Sequence, residues 1–255
     1  MKSFLSHGMG VNSVALHLHL LDQNIDFTAF FVNHGTDWPD TYAYLYYFQE
    51  WLKEKGHKPI TVLYPDVGTT DKTEGFDKLI DYCEYKKIIP SMMFRWCTDK
   101  FKIRVMNKYY EKPCFNMLGI DWGERHRAKL NSIGGIENRF PLIEAELDRG
   151  DCKEIIERHG LELPIKSGCY ICPYQKRGDW VKLRNKHPDL FCRAERLEKA
   201  CNEKRLAKRR ADTSLPWHAL YKPIYLGGRP LKEVVDERQA KLFKRDEYPP
   251  CECML

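Results

Sequence analysis

Short apolar runs alternate with helical patterns over the first 120 residues, and this alternation constrains the fold more than any other feature of the sequence. Strand patterns occur at "SFL", "FTAFFVN", "ITVLYP" and "CFNMLGID", and helical patterns cover residues 12–23, 41–55, 76–85 and 98–110. Strands separated by helices of this length pair in parallel, because the chain must cross over the sheet between them. The sequence therefore predicts an α/β fold with a doubly wound, mostly parallel sheet.

The loops that follow these strands are expected to line one cleft, because doubly wound sheets bind ligands at the carboxyl ends of their strands. These loops begin at Ser6, Asn33, Tyr64 and Gly119. The first, "SHGMGVNS", is rich in glycine and serine and joins a strand to a helix. Backbone N–H groups and the positive end of the helix dipole can hold a phosphate there, although an ordinary turn can have the same composition.

Two further loops carry polar side chains at strand ends. "NHGTDWPDTY" places His34, Gly35 and Asp37 directly after a buried strand, where a ligand would lie. "GIDWGERHRA" gathers charged side chains after the fourth strand, namely Asp121, Glu124, Arg125, His126 and Arg127. Clustered charges are costly unless they meet each other or a charged ligand, and an exposed surface turn is the alternative.

The second part of the chain is helical and charged, so we expect a nucleotide-binding domain at 1–140 and a helical, cysteine-containing subdomain with a tail at 141–255. Its segment 193–210 has eight basic and three acidic residues within a chain of net charge +6. This basic helix is either a solvated face or a surface for nucleic acid.

Ten cysteines are present, in a chain without a signal-peptide pattern or an apolar run of membrane-spanning length. We expect a cytoplasmic protein with no membrane partner, whose cysteines serve metal or redox chemistry instead of disulfides. Cys169 and Cys172 form a C-x-x-C pair that can bind one metal centre, act as a redox dithiol or pack in the core. Further candidate ligands are Cys97, Cys192, Cys251 and Cys253, whereas Cys83, Cys114 and Cys152 have core contexts.

Taken in order, "SHGMGVNSVAL", "NHGTDWPDTY", "RWCTDKFK", "GIDWGERHRA" and "SGCYICPYQ" resemble the phosphoadenosine phosphosulfate reductase family. This family belongs to the superfamily of adenine nucleotide α-hydrolases and ATP pyrophosphatases, and the resemblance covers roughly residues 3–180. It implies a five-stranded parallel sheet with an adenine nucleotide over it. His34, Gly35 and Asp37 would lie near the adenosine, and the phosphate contacts would come from Ser6, Gly8, Gly10, Asn12 and Ser13.

The resemblance also implies a 4Fe–4S cluster, which one branch of the family binds through a Cys-Cys pair and a later C-x-x-C. Here Trp96 and Cys97 stand where the pair belongs, so Cys97, Cys169 and Cys172 supply three ligands. The fourth ligand would be Cys192 or a tail cysteine, unless one iron of the cluster has no protein ligand in its fourth coordination position. Sulfonucleotide reductases use a cysteine of a mobile tail as nucleophile, which points to Cys251 and Cys253.

Three functions follow. In the first, a tail thiolate cleaves a sulfonucleotide reductively, Lys100, Arg125 and Arg127 neutralise the leaving nucleotide, and an external dithiol regenerates the enzyme. The family has consecutive arginines after the fourth strand, and this chain has Asp121 and Trp122 there. This difference leaves a second function possible, ATP-dependent thiolation of a nucleic acid, in which a cluster or a donor protein carries the sulfur. The third is a non-catalytic nucleotide-binding adaptor, stapled by zinc on Cys169, Cys172, Cys251 and Cys253.

Overall fold

The computed structural model describes residues 1–69, 72–90, 94–129, 132–165, 167–208 and 231–235. Cys251 and Cys253 of the tail, and Arg209 and Arg210 of the basic segment, lie outside the described residues. Within the described part of the chain, no helix combines the length and the apolar composition needed to cross a bilayer.

A six-stranded sheet forms the centre of the fold, and five of its strands run parallel. A short strand, β7 (Ser132–Ile133), pairs antiparallel at one edge, and β4 (Val67–Thr69) pairs with β5 (Lys72–Phe76) in a separate hairpin. The parallel strands are, in spatial order, β3 (Thr61–Leu63), β2 (Thr28–Val32), β1 (Lys2–Ser6), β6 (Cys114–Leu118) and β8 (Ile136–Arg139). The predicted α/β fold with a mostly parallel sheet is confirmed.

The strand order reverses between β1 and β6, because the chain winds from β1 to β2 and β3 and then returns to the other side of β1. Such a reversal opens a crevice at the carboxyl ends of the two strands, which is where doubly wound sheets bind ligands. The loops after β1 and β6 therefore flank the natural ligand position of this fold.

Helices cover both faces of the sheet, as the alternation of apolar residues along the strands requires. Leu5 of β1 and Phe31 of β2 pack on one face, whereas Phe4 and Phe30 pack on the other. The helices are α1 (Val11–Asp22), α2 (Pro39–Glu54), α3 (Leu79–Lys86), α4 (Trp96–Thr98), a π-helical turn (Asp99–Ile103), α5 (Arg104–Asn107), a 3-10 helix (Trp122–Arg127), α6 (Pro141–Glu144), α7 (Arg149–Arg158), α8 (Arg177–Lys186), α9 (Pro188–Lys208) and α10 (Leu231–Val234).

We call the sheet, α1, α2, α5 and α7 the sheet region. Phe48 of α2 is fully buried in its larger core, together with aliphatic residues of α1. Cys152 and Ile156 of α7 belong to the same core, so the helix that follows residue 140 packs with the helices that precede it. The domain boundary predicted at 140 stays a prediction.

We call α3, α8, α9, α10 and the turn at 169–172 the cysteine region. Its hydrophobic core contains Cys83, Cys169, Cys172 and Cys201, packed with aromatic residues such as Trp180. Cys83, Cys114 and Cys152 are all buried, as predicted from their contexts.

Candidate functional site

The loop between β1 and α1 is closed by Ser13. Its Oγ accepts hydrogen bonds from the backbone N–H groups of Gly8 (3.3 Å) and Gly10 (3.1 Å), and it donates to the Gly10 carbonyl oxygen. Met9, between the two glycines, has a left-handed φ of 55° and is fully buried. The hydroxyl oxygen of Ser13 thus occupies the acceptor position that a phosphate oxygen would take at the N-terminus of α1.

Ser6 lies at the end of β1, and its side chain is engaged within the sheet. Its Oγ donates to Asn116 Oδ1 at 2.8 Å and lies 3.1 Å from the phenol oxygen of Tyr110. The residue is 1% exposed. The structure therefore gives Ser6 a role in joining β1 to β6, and its phosphate contact stays a prediction.

Asn12 and Asp121 connect the loops after β1 and β6. Asn12 Nδ2 donates to Asp121 Oδ2 at 2.9 Å, and Arg149 donates to Asn12 Oδ1 at 3.2 Å. Gly119 lets the two loops approach, since a Cβ there would lie 3.0 Å from backbone atoms of Asn12 and Ser13. A carboxylate and a half-buried cation thus both stand at the start of α1.

The cations predicted to neutralise the substrate are not gathered in one place. Lys100 donates to the Tyr82 hydroxyl in the cysteine region. Arg127 pairs with Glu124 at 2.7 Å, and Arg125 stacks on the Trp122 ring at 4.5 Å. The roles assigned to these three cations stay predictions.

Two cations that the sequence did not single out lie closer to the loop. Arg149 contacts Asn12, and Lys102, on the π-helical turn, lines a narrow crevice with Gly8 and Asp37. A lone cation on a helix has no sequence signature, so only the fold could reveal them.

The loop after β2 presents His34 and Asp37 on the same crevice edge of the sheet. Gly35 has a φ of 70°, a left-handed conformation that favours glycine. Burial lowers the pKa of His34 to about 4, against a smaller opposing effect of Asp37, so the imidazole is neutral at pH 7. His34 Nε2 lies 3.4 Å from Asp37 Oδ2.

Cys169 is brought to this loop by a backbone bridge. Asp37 and Cys169 form an isolated antiparallel β-bridge, in which Tyr170 N donates to the Thr36 carbonyl and Trp38 N donates to the Gly168 carbonyl. The Cys169 sulfur then lies 3.0 Å from Thr36 Oγ1 and 3.8 Å from His34 Nε2. His34, Asp37 and Cys169 are thus a set of possible metal ligands, all buried.

The described residues do not assemble the four thiolates of a cluster. Cys97, Cys169 and Cys172 all contact the core of the cysteine region, whereas Cys192 is exposed on α9, and its role as the fourth ligand stays a prediction. Burial raises the pKa of the Cys97 thiol, which opposes formation of a thiolate in the absence of a metal. The tail cysteines lie outside the described residues.

Part of the predicted basic helix is paired with acidic residues of α3. Arg193 donates to Glu84 and Asp81 at 2.6–2.8 Å, and Lys204 donates to the Lys86 carbonyl. The side chains of residues 205–210 are not described. Nucleic-acid binding by this helix therefore stays a prediction.

No protein-family model matches the chain, and no curated protein matches it in sequence. Among solved structures, a phosphoadenylyl-sulfate (PAPS) reductase from Candida auris, in complex with phosphate, is similar to 64% of this chain over 75% of its own length. The identity is 11% and the TM-score is 0.42.

Proposed function

We propose that this chain is an adenine-nucleotide-binding enzyme of sulfur chemistry, and that it cleaves a sulfonucleotide reductively. One observation carries the proposal: the phosphate-type loop and the Cys-x-x-Cys segment are in contact. A Cβ on Gly10 would lie 2.8 Å from Ser167 Oγ, two residues before Cys169. The loop that would hold the phosphates thus lies against the segment that carries thiols.

In this proposal, the N-terminus of α1 and the N–H groups of Gly8 and Gly10 bind the nucleotide phosphates. A phosphate oxygen then replaces Ser13 Oγ as the acceptor of these N–H groups. Lys102 and Arg149 would neutralise the charge that develops on the leaving nucleotide. They replace Arg127 in this role, because its guanidinium is paired with Glu124.

The nucleophile of the proposed reaction is a thiolate of Cys251 or Cys253. It attacks the sulfur of the bound adenylyl sulfate, so that an S–S bond forms, the S–O bond to the phosphate breaks and the nucleotide leaves. A second thiol then displaces sulfite, and an external dithiol reduces the resulting disulfide. Two thiols are oxidised for each sulfate reduced to sulfite.

The family resemblance adds a 4Fe–4S cluster, with zinc as the alternative, and such a cluster would supply electrostatic or sulfur-carrying chemistry when bound. Because the described residues do not bring together four cysteines, we assign no step to it. The thiol and nucleotide steps above rest on the chain's own residues.

Asp121 favours a second candidate, ATP-dependent thiolation of a nucleic acid. Its carboxylate lies 2.9 Å from Asn12 Nδ2 at the start of α1. A carboxylate beside phosphates suits a magnesium-bound triphosphate, since Mg²⁺ is usually held by one or two carboxylates and the phosphate oxygens. The same carboxylate repels a sulfonucleotide that arrives without a cation.

A product assay with a tail deletion separates the two candidates. Full-length protein, given reduced dithiol and either a sulfonucleotide or ATP, is assayed for sulfite and for pyrophosphate. The reductase proposal expects sulfite, lost on deletion of residues 249–255 while nucleotide binding persists, and unaffected by neutralising Arg205, Lys208, Arg209 and Arg210. Two results together would support thiolation instead. The truncated protein would stay active, and nucleic-acid binding would be steeply salt dependent and would be lost when the four basic residues are neutralised.

A further inference from the structure

Three potential ligand atoms of different chemistry meet where the loop after β2 contacts the Cys-x-x-Cys turn. They belong to His34, Asp37 and Cys169, and they lie within 4.8 Å of one another. Among the residues that the structure describes, this is the one set of three or more His, Cys, Asp or Glu side chains at such distances. We propose that these three side chains bind a single divalent transition metal ion of the zinc type. The proposal of a metal here does not depend on the proposed reductase reaction.

Two of the three distances between the ligand atoms match the edges of a tetrahedron around zinc, and the third, between Asp37 and Cys169, is within 4.8 Å. Zinc bonds of about 2.0–2.1 Å to nitrogen, 2.0–2.2 Å to oxygen and 2.3 Å to sulfur give edges of about 3.4 Å for N–O and about 3.6 Å for N–S. The structure has 3.4 Å between His34 Nε2 and Asp37 Oδ2, and 3.8 Å between His34 Nε2 and Cys169 Sγ. The same nitrogen faces both partners, so one ion can contact all three residues with little movement.

A direct hydrogen bond between His34 and Asp37 does not account for their approach. An N–H···O bond has a length of about 2.7–3.2 Å, and the His34–Asp37 distance of 3.4 Å exceeds it. The Asp37 side chain is only 6% exposed, and the His34 ring is its one described ion-pair partner. Nearby positive charge stabilises a buried carboxylate; Lys102 on the same crevice supplies part of it, and a divalent cation in direct contact would supply more.

Thr36 holds the ligands in orientation. Its Oγ1 lies 2.6 Å from His34 Nδ1 and 3.0 Å from Cys169 Sγ. With Nδ1–H donating to Thr36, Nε2 keeps its lone pair for the metal, and the threonine hydroxyl can donate to a Cys169 thiolate. Outer partners of this kind fix the tautomer and direction of metal-bound histidines. The backbone bridge between Asp37 and Cys169 holds the two other ligands at a set distance.

The mixture of nitrogen, oxygen and sulfur ligands selects the class of metal. Calcium and magnesium prefer oxygen alone, whereas zinc accepts imidazole, carboxylate and thiolate together. A thiolate and a carboxylate balance the two charges of the ion, and Lys102 is the nearby cation that opposes it. Three protein ligands leave one position for water or a substrate atom, as in catalytic zinc sites. The assignment takes Cys169 away from the predicted cluster.

Metal analysis of the full-length protein tests the site. Protein produced with zinc supplementation and purified under reducing, anaerobic conditions is expected to contain zinc, and His34→Gln, Asp37→Asn and Cys169→Ser are each expected to lose one equivalent. Cys172→Ser is the matched control, because it alters the other buried cysteine of the same motif and should keep that equivalent. Thr36→Val should weaken zinc affinity by about 10–100-fold, as outer-ligand changes do.

Cobalt substitution keeps the test decisive if a variant fails to fold. Wild-type protein stripped with a chelator and reloaded with Co²⁺ should show tetrahedral d–d bands and a thiolate-to-cobalt charge-transfer band, both retained in Cys172→Ser. Wild-type protein without that band, or zinc retained in Asp37→Asn, overturns the proposal. Iron with equal acid-labile sulfide, lost in Cys172→Ser and kept in His34→Gln, also overturns it and assigns the cysteines to a cluster. Nucleotide binding, measured separately by calorimetry, reports on the proposed function alone.

Discussion

The sheet region and the cysteine region hold their parts together in different ways. The sheet region buries aliphatic and aromatic side chains on both faces of parallel strands. The cysteine region packs four cysteines among aromatic side chains and ties α9 to α3 through the Arg193 ion pairs. Both candidate sites lie where the two regions meet, at Gly10 against Ser167 and at Asp37 against Cys169. Each of the two candidate sites draws residues from both sides of this contact.

The largest expected difference between the regions is the acid sensitivity of two histidines in the sheet region. Burial lowers the pKa of His7 to about 3 and the pKa of His17 well below its usual value, with a smaller contribution from the neighbouring histidines at His17. The unfolded chain takes up these protons near pH 6.5, so acidification favours unfolding. The stability that each contributes is present above that pH and is lost as the pH falls toward the folded pKa. Between pH 7 and pH 5 we expect His7 to lower the unfolding free energy by about 2 kcal/mol, with a further loss from His17.

Urea unfolding followed by circular dichroism at pH 7, 6 and 5 measures this loss. His17→Leu should reduce the pH dependence, because His17 packs against Phe27 and Phe48 and its Nδ1 has no partner among the described residues. An unfolding midpoint that does not change with pH would show that the two histidines are solvated in the folded protein.

A smaller effect is expected from Gly119→Ala, which changes the contact between β6 and α1. The added methyl group would lie 3.0 Å from backbone atoms of Asn12 and Ser13, and a backbone contact cannot be relieved by rotating a side chain. We expect a loss of about 1–3 kcal/mol in unfolding free energy and weaker adenine-nucleotide binding. Gly68→Ala is the control, because no described atom lies within 4 Å of its Cβ position. Equal effects of the two substitutions on nucleotide affinity would show that the close contact at Gly119 does not contribute to nucleotide binding.

The sheet region was largely predictable, because its elements repeat their apolar residues with a local period. The helix predicted at 12–23 is α1 (Val11–Asp22), and "FTAFFVN" contains β2 (Thr28–Val32). The strand β8 (Ile136–Arg139), of sequence IENR, was not recognised from its pattern. It has no apolar alternation, and its pairing with β6 is a long-range interaction that short polar sequences do not encode locally. Only the family resemblance implied a fifth strand.

The candidate site was predictable in its residues but not in its grouping. His34 and Asp37 were predicted to bind a nucleotide, and Cys169 was predicted to bind a metal cluster. Their grouping into one set was not predicted. Thr36 and Cys169 are 133 positions apart in the chain, and no local pattern reports a contact at that separation. Lys100 was named from the sequence and Lys102 was not; both lie on the π-helical turn (Asp99–Ile103), which changes the direction of side chains relative to an α-helix. Lys102 consequently lines the crevice, and Lys100 contacts Tyr82.

The smallest expected effect concerns the ion pairs that join α9 to α3 in the cysteine region. Arg193 donates to Glu84 and Asp81, and the three side chains are 32%, 39% and 41% exposed. Water screens pairs of this exposure, so Arg193→Gln should cost about 1 kcal/mol or less, and the loss should shrink as salt is added. Arg104→Gln is the matched control, because its pair with Asp99 is more exposed and should contribute no measurable stability.

A double-mutant cycle of Arg193→Gln with Glu84→Gln, measured by urea unfolding at low and high salt, isolates the pair. A coupling energy near zero at both salt concentrations would mean that this ion pair adds nothing to the packing of α9 on α3. A coupling that falls with salt would show that the cysteine region depends on charge where the sheet region depends on burial. In that case high salt should loosen the contact that presents Cys169 to His34 before it affects the sheet.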